Sequence, residues 1–303
     1  MSARLPWLEV ILDDRVQGIA ERTSPWTKAT RTFRVDLARL GRVGVQVGRP
    51  EHRQRIRRRI SVSRFLAAAA PQLRVPDVIA DGADAELPFV VTRWVEGRPA
   101  NSFLATPSET MQAATRLNAV LGELSRLPPA PSDLSTVWAD PEQLQRAAVH
   151  WLDAVASRLD ARAAGVVSDC VDRTRSALDF ASPAFAHGDV VPVNVLIDER
   201  GVVTMLDFED ARRALRGFDR AMLWTTLALH HPKAATVFES LIAKSEAATS
   251  SSVDRDGLAT TGCLQRLERA FDSLAGLGGE TAAMAELASA AQLVARFRGR
   301  SSD

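Results

Sequence analysis

Polar and apolar residues alternate along Arg31-Thr32-Phe33-Arg34-Val35-Asp36-Leu37 and again along Arg42-Val43-Gly44-Val45-Gln46-Val47. A period of two fits strands buried on one face, and Gly48-Arg49-Pro50 breaks the second of them. From Glu51 to Ala70 the period lengthens. Ile56, Ile60 and Ser63 share one stripe while Arg53, Arg57 and Arg64 share another, which predicts a helix ended by Pro71 and Pro76. Pro88 to Val95 predicts a further strand, closed by Glu96-Gly97-Arg98-Pro99. The first ninety or so residues therefore read as strands around one helix.

Beyond Gly97 the spacing of apolar residues becomes three and four. Helices are predicted near 107–126, 141–164 and 166–180, with Pro128-Pro129-Ala130-Pro131 as one break. Two short apolar runs, Val193 to Ile197 and Val202 to Leu206, flank Asp198-Glu199-Arg200-Gly201 and predict a hairpin. Helices resume near Asp219 and continue to the end, with Thr249-Ser250-Ser251-Ser252 as a linker. The pattern predicts an α+β fold. A β-rich lobe would span 1–95 and a larger helical lobe 96–303, with a ligand cleft between them.

Composition narrows the class without naming a function. At 303 residues, 46% hydrophobic and 25% charged, the chain can bury a large core. A net charge of +1 gives no global attraction to nucleic acid or to an anionic membrane, so neither is expected as a partner. No apolar run approaches the roughly 18 residues of a membrane span, and the N-terminus lacks a signal-peptide pattern. Two cysteines, Cys170 and Cys263, argue against a disulfide framework and for buried thiols in a reducing, cytoplasmic setting. Oligomeric state is not legible. Lysine occurs only at Lys28, Lys233 and Lys244, against 35 arginines, which limits the residues that can do a lysine's work.

Candidate chemistry concentrates in Phe185 to Asp198 and Leu206-Asp207-Phe208-Glu209. Asp189, Asn194 and Asp207 each stand at the edge of an apolar run, a spacing compatible with phosphoryl transfer. A hairpin that starts at Asn194 and ends at Asp207 brings an amide oxygen and a carboxylate together. Mg²⁺ favours oxygen ligands and is held by one or two protein groups plus phosphates and water. Asp189 then stays free to take a hydroxyl proton, with His187 orienting its loop.

His187-Gly188-Asp189…Asn194 and Asp207-Phe208-Glu209 resemble the H-G-D-x-x-x-x-N loop and the D-F-G-type signature of the aminoglycoside phosphotransferase and choline kinase-like small-molecule kinases, relatives of the protein kinases. The resemblance covers about residues 30 to 230. It implies a protein-kinase-like two-lobe fold, with a small antiparallel β-rich N-lobe and a mainly helical C-lobe. It further implies Mg²⁺ with ATP or GTP as phosphoryl donor, and a hydroxylated small molecule as acceptor. Asp219, in Gly217-Phe218-Asp219-Arg220-Ala221, would brace the catalytic loop or cap a helix. The backbone of Arg93 and Val95 would meet the nucleotide base.

The family expects a strand lysine paired with a helix glutamate. By pattern, Gln46 falls at the lysine position and the glutamate position falls on or near Ile60. Lys28 is an implausible substitute. Eight arginines lie between Gly41 and Phe65 against Glu51 alone. They read as a solvated helix face, with a phosphate contact from Arg49 or another arginine as the alternative. A kinase-like binding or regulatory protein of weak or no activity is the second functional reading. Trp138, Trp151 and Trp224 read as core, or else as an apolar or sugar-stacking surface.

Overall fold

The computed structural model describes residues 6–22, 30–127, 134, 137–174, 183–247, 255–277 and 279–298. Lys28, the Pro128–Pro131 break and the Thr249–Ser252 linker lie outside these residues. The chain forms two compact units, one of residues 1–99 with 194–211 and one of 100–193 with 212–303. The predicted hairpin thus groups with the sheet.

In the first unit the alternating segments form strands β2 (Thr30–Leu37) and β3 (Gly41–Gly48) of an antiparallel sheet. With β1 (Val16–Arg22), β4 (Val78–Gly82) and β5 (Phe89–Arg93) the order is β1-β2-β3-β5-β4. Side chains of successive residues leave opposite faces of a strand, so the sheet has two cores. Phe33, Val35, Val43, Val45 and Val91 pack on one side with Leu8 of helix α1 (Pro6–Leu12). On the other side Val90 meets Ile56 and Ile60 of helix α2 (Arg53–Ala69). Gln46 stands opposite Thr32 and Val90 in register, which puts it on the face that α2 covers.

Helix α1 and strands β1 and β4 were not expected from the pattern. Both strands are short and carry register shifts, between Val16 and Gly18 and between Val78 and Ala80, which break a period of two. Gly82 is required in β4, because a Cβ there would lie 2.1 Å from the Phe89 ring. The hairpin forms as expected from β8 (Val195–Ile197) and β9 (Val203–Met205), flanked by β6 (Arg98–Pro99). The Asp198 carboxylate closes its turn, accepting from the amides of Arg200 at 2.9 Å and Val202 at 2.8 Å.

The second unit is helical. Helices α3 (Pro107–Leu124), α4 (Pro141–Val155) and α5 (Ala161–Asp172) start at Thr106, Asp140 and Asp160, whose side chains cap the first turn. The single helix expected over 141–164 is two, because a 3₁₀ turn follows Val155 and Asp160 starts a new cap. Then come α6 (Phe218–His230), α7 (Pro232–Ala247), α8 (Arg255–Asp272) and α9 (Gly279–Arg298). Strand β7 (Ala184–Ala186) pairs with β10 (Arg212–Ala214). Trp138, Trp151 and Trp224 are buried in this unit, so none offers a stacking surface. Cys170 and Cys263 are free buried thiols. Among the described residues no helix is long and apolar enough to cross a membrane.

Candidate active site

Within the helical unit, β7 delivers the chain into His187-Gly188-Asp189, where Gly188 takes a φ of 88° that few other residues tolerate. Asp219, in the first turn of α6, holds this loop. Its buried carboxylate accepts the amides of His187 at 2.7 Å and Gly188 at 3.0 Å. Burial pushes the Asp219 carboxyl up, opposed by His187 and the two amide donors. His187 is fully buried, and its Nδ1 accepts the Asp189 amide at 3.2 Å. The loop is therefore fixed from both sides, by Asp219 beneath it and by its own imidazole. Asp189 is half-buried, and its carboxylate pairs with the Arg269 guanidinium of α8. Arg269 stands eighty residues further on, and no local pattern singles it out.

The sheet unit holds the other group. The Leu206 amide donates to the Asn194 carbonyl at 2.8 Å, closing the open end of the hairpin and making Asn194 and Asp207 neighbours across it. Asp207 adopts φ 64°, ψ 66°, a left-handed conformation that costs a non-glycine residue about 1–3 kcal/mol. The turn leads directly into the 3₁₀ segment Phe208–Asp210, whose Phe208 is buried. One stripe of α2 faces this segment. Arg59 donates to Asp207 Oδ1 at 3.2 Å and to Gln46 Oε1 at 2.6 Å, while Gln46 Nε2 donates to Thr30 Oγ1 at 2.9 Å. Arg55 pairs with Glu209 at 2.9 Å, and Arg58 reaches the Glu209 carbonyl at 3.4 Å. Burial, helped by the charge of Asp207, pushes the Glu209 carboxyl up to about 7 in spite of Arg55.

Residues 27–253 match the model of the phosphotransferase enzyme family. The chain belongs to that family. Its fold is similar to that of an apo thermostable mutant of aminoglycoside phosphotransferase APH(4)-Ia, with TM-score 0.70, 15% identity, and coverage of 97% of this chain and 99% of that one. It is likewise similar to the GDP complex of aminoglycoside 2'-phosphotransferase-IIIa, with TM-score 0.69, 13% identity, and coverage of 93% and 94%. A third likeness is to the GDP and kanamycin complex of APH(2")-IIia, at TM-score 0.66, 14% identity, and 96% and 97% coverage. No curated protein matches the chain by sequence. The antiparallel sheet with its helix, and the separate helical unit, are those of a protein-kinase-like phosphotransferase.

This member of the phosphotransferase family departs from the expected lysine–glutamate pair in a way the pattern missed. Ile60 packs with Val90 in the core, and Arg59, one residue earlier, is what faces Gln46. The arginine run is a solvated face only in part, with Arg57 and Arg64 exposed and Arg59 turned inward. Besides Arg55, Arg58 and Arg59, Arg53 donates to the carbonyls of Ala83 and Ala85 at 2.8 Å, Arg57 pairs with Asp84, and Arg64 with Asp81 at 2.6 Å. The missed signal was the spacing 55/58/59, which puts three cations on one helical stripe. Arg49 is 70% exposed and 3.8 Å from Glu51, away from the Gln46 group. The Arg93 amide already donates to the Asp77 carbonyl at 2.8 Å, and Val95 lies half-buried just past the strand.

Proposed function

We propose that this phosphotransferase moves the γ-phosphoryl group of ATP or GTP to a hydroxyl of a small molecule, an aminoglycoside-like antibiotic or a related metabolite. The observation that carries the reading is the rigid presentation of Asp189, in a chain of the phosphotransferase family, by a loop anchored to the buried Asp219. Asp189 is the base that takes the hydroxyl proton, and His187 with Asp219 keeps its loop in place. Arg59 links Gln46 to Asp207, and Glu209 two residues on pairs with Arg55.

The donor set suits a hard divalent cation. Among the described residues no group of three or more His, Cys, Asp or Glu side chains has the geometry of a metal cluster. Mg²⁺ needs no such cluster, and the neighbouring Asn194 and Asp207 would supply the one or two oxygen ligands it takes from protein. Bound there, it would neutralise charge on the donor phosphates. Structures similar to this one hold ADP with hygromycin B, and GDP with kanamycin, which supports a nucleotide donor and an aminoglycoside-like acceptor. Cytoplasmic location fits two buried free thiols.

One observation favours a second reading, a kinase-like binding or regulatory protein of weak activity. Asp207 and Asp189 are both engaged by arginines, Arg59 and Arg269. A nucleotide-turnover screen with ATP and GTP across aminoglycosides, amino alcohols and sugars separates the two. Turnover dependent on one acceptor supports the phosphotransferase. Nucleotide binding without turnover on any acceptor supports the second reading.

A further inference from the structure

The most unusual cluster in the sheet unit is the chain of contacts Thr30–Gln46–Arg59–Asp207. Gln46 is 4% exposed, and both ends of its amide are used, one on Thr30 and one on Arg59. A buried amide spent in this way is a support, and it brings no charge. Arg59 is different. Its side chain is 15% exposed and its guanidinium spans the strand glutamine and the carboxylate of Asp207.

We infer that Arg59 is the cation that binds the donor phosphates, and that Gln46 positions it. In this chain the positive charge has moved from the sheet to helix α2, and the polarity of the strand–helix pair is reversed. Phosphates that share a Mg²⁺ with Asp207 must come close to that carboxylate, and the guanidinium already touches it. Arginine keeps its charge when half-buried and offers a planar fork of donors that suits phosphate oxygens. Arg55 and Arg58 are committed to Glu209, which leaves Arg59 as the member of the stripe directed at Asp207. Gln46 holding Arg59 through Oε1 limits the rotamers a long side chain would otherwise lose on binding phosphate.

This inference rests on the phosphotransferase reading, and the test separates the two. Affinity for Mg-ATP, Mg-GTP and adenosine is measured by calorimetry on the full chain, for wild type, Arg59→Gln, Arg59→Lys, and Gln46→Lys with Arg59→Glu. Arg59→Gln should weaken the triphosphate at least about tenfold, the scale of one charge-assisted contact, and leave adenosine unchanged. Arg59→Lys, which keeps the cation, should recover most of the loss. The paired variant, which returns the positive charge to the strand, should bind triphosphate more tightly than Arg59→Gln. Equal or tighter triphosphate binding by Arg59→Gln, or parallel loss of triphosphate and adenosine, overturns the inference alone. A wild-type chain that binds neither triphosphate overturns it together with the phosphotransferase reading. If Arg59→Gln fails to fold by its melting transition, Arg59→Lys against the paired variant carries the same decision.

Discussion

The loop at Asp189 and the turn at Asp207 each bring a carboxylate to an arginine, Arg269 and Arg59, but their surroundings are built by different means. The first is built from backbone amides held by side-chain acceptors. His187 and Gly188 give their amides to Asp219, and His187 takes the amide of Asp189. The second is built from bonds between side chains, with Arg59 reaching both Asp207 and Gln46. Bonds to backbone amides fix the path of the chain itself, whereas a pair of side chains can be exchanged for another pair of the same geometry. The difference teaches where a phosphotransferase can vary. The proposed base sits in an arrangement that tolerates little change, while the proposed phosphate-binding cation, Arg59, stands on the helix and not on the strand.

The sharpest break of this comparison should come from Asp189→Asn. It removes the proposed base and should lower the transfer rate by about 10²–10⁴-fold, with Mg-ATP affinity held close to wild type. Steady-state kinetics beside calorimetry check both halves. Asp207→Asn should do the reverse in kind, weakening triphosphate binding in Mg²⁺ and flattening its dependence on Mg²⁺ concentration, which a titration of the metal reads directly.

Stability separates the regions next. Asp219→Ala strands two buried amide donors and should cost about 3 kcal/mol, seen as a lower midpoint in urea. Asp219→Asn keeps one acceptor and should cost less. Arg59→Gln should shift the same midpoint far less than Asp219→Ala, because the Asp207 turn stays partly open to water. The smallest effect belongs to Arg57→Ala. Its exposed pair with Asp84 involves neither Asp207 nor Glu209, and neither melting temperature nor nucleotide affinity should change measurably.

Legibility followed the same division. Strands β2 and β3, helix α2 and the β8–β9 hairpin could be read from period and turn chemistry, since each is a local pattern with a buried face. The Asp189 loop was legible for a related reason. Its glycine, histidine and aspartate must stand at fixed spacing to make the bonds they make. What escaped was non-local. Strands β1 and β4 hide behind register shifts, and Arg269 and Arg59 gain meaning only once the chain has brought them to Asp189 and Asp207. The pattern put the partner of Gln46 on or near Ile60, but a helix turns 100° per residue. One position separates a core isoleucine from an arginine facing a carboxylate.

The most direct test of the account is ³¹P NMR of the purified chain with Mg-ATP, Mg-GTP and the acceptor found by turnover screening, run beside Asp189→Asn. The account predicts a new phosphomonoester resonance that grows with nucleoside diphosphate in the wild-type sample and is absent from the variant. A resonance of equal rate in both samples, or none in the wild type with any acceptor while nucleotide stays bound, would contradict it.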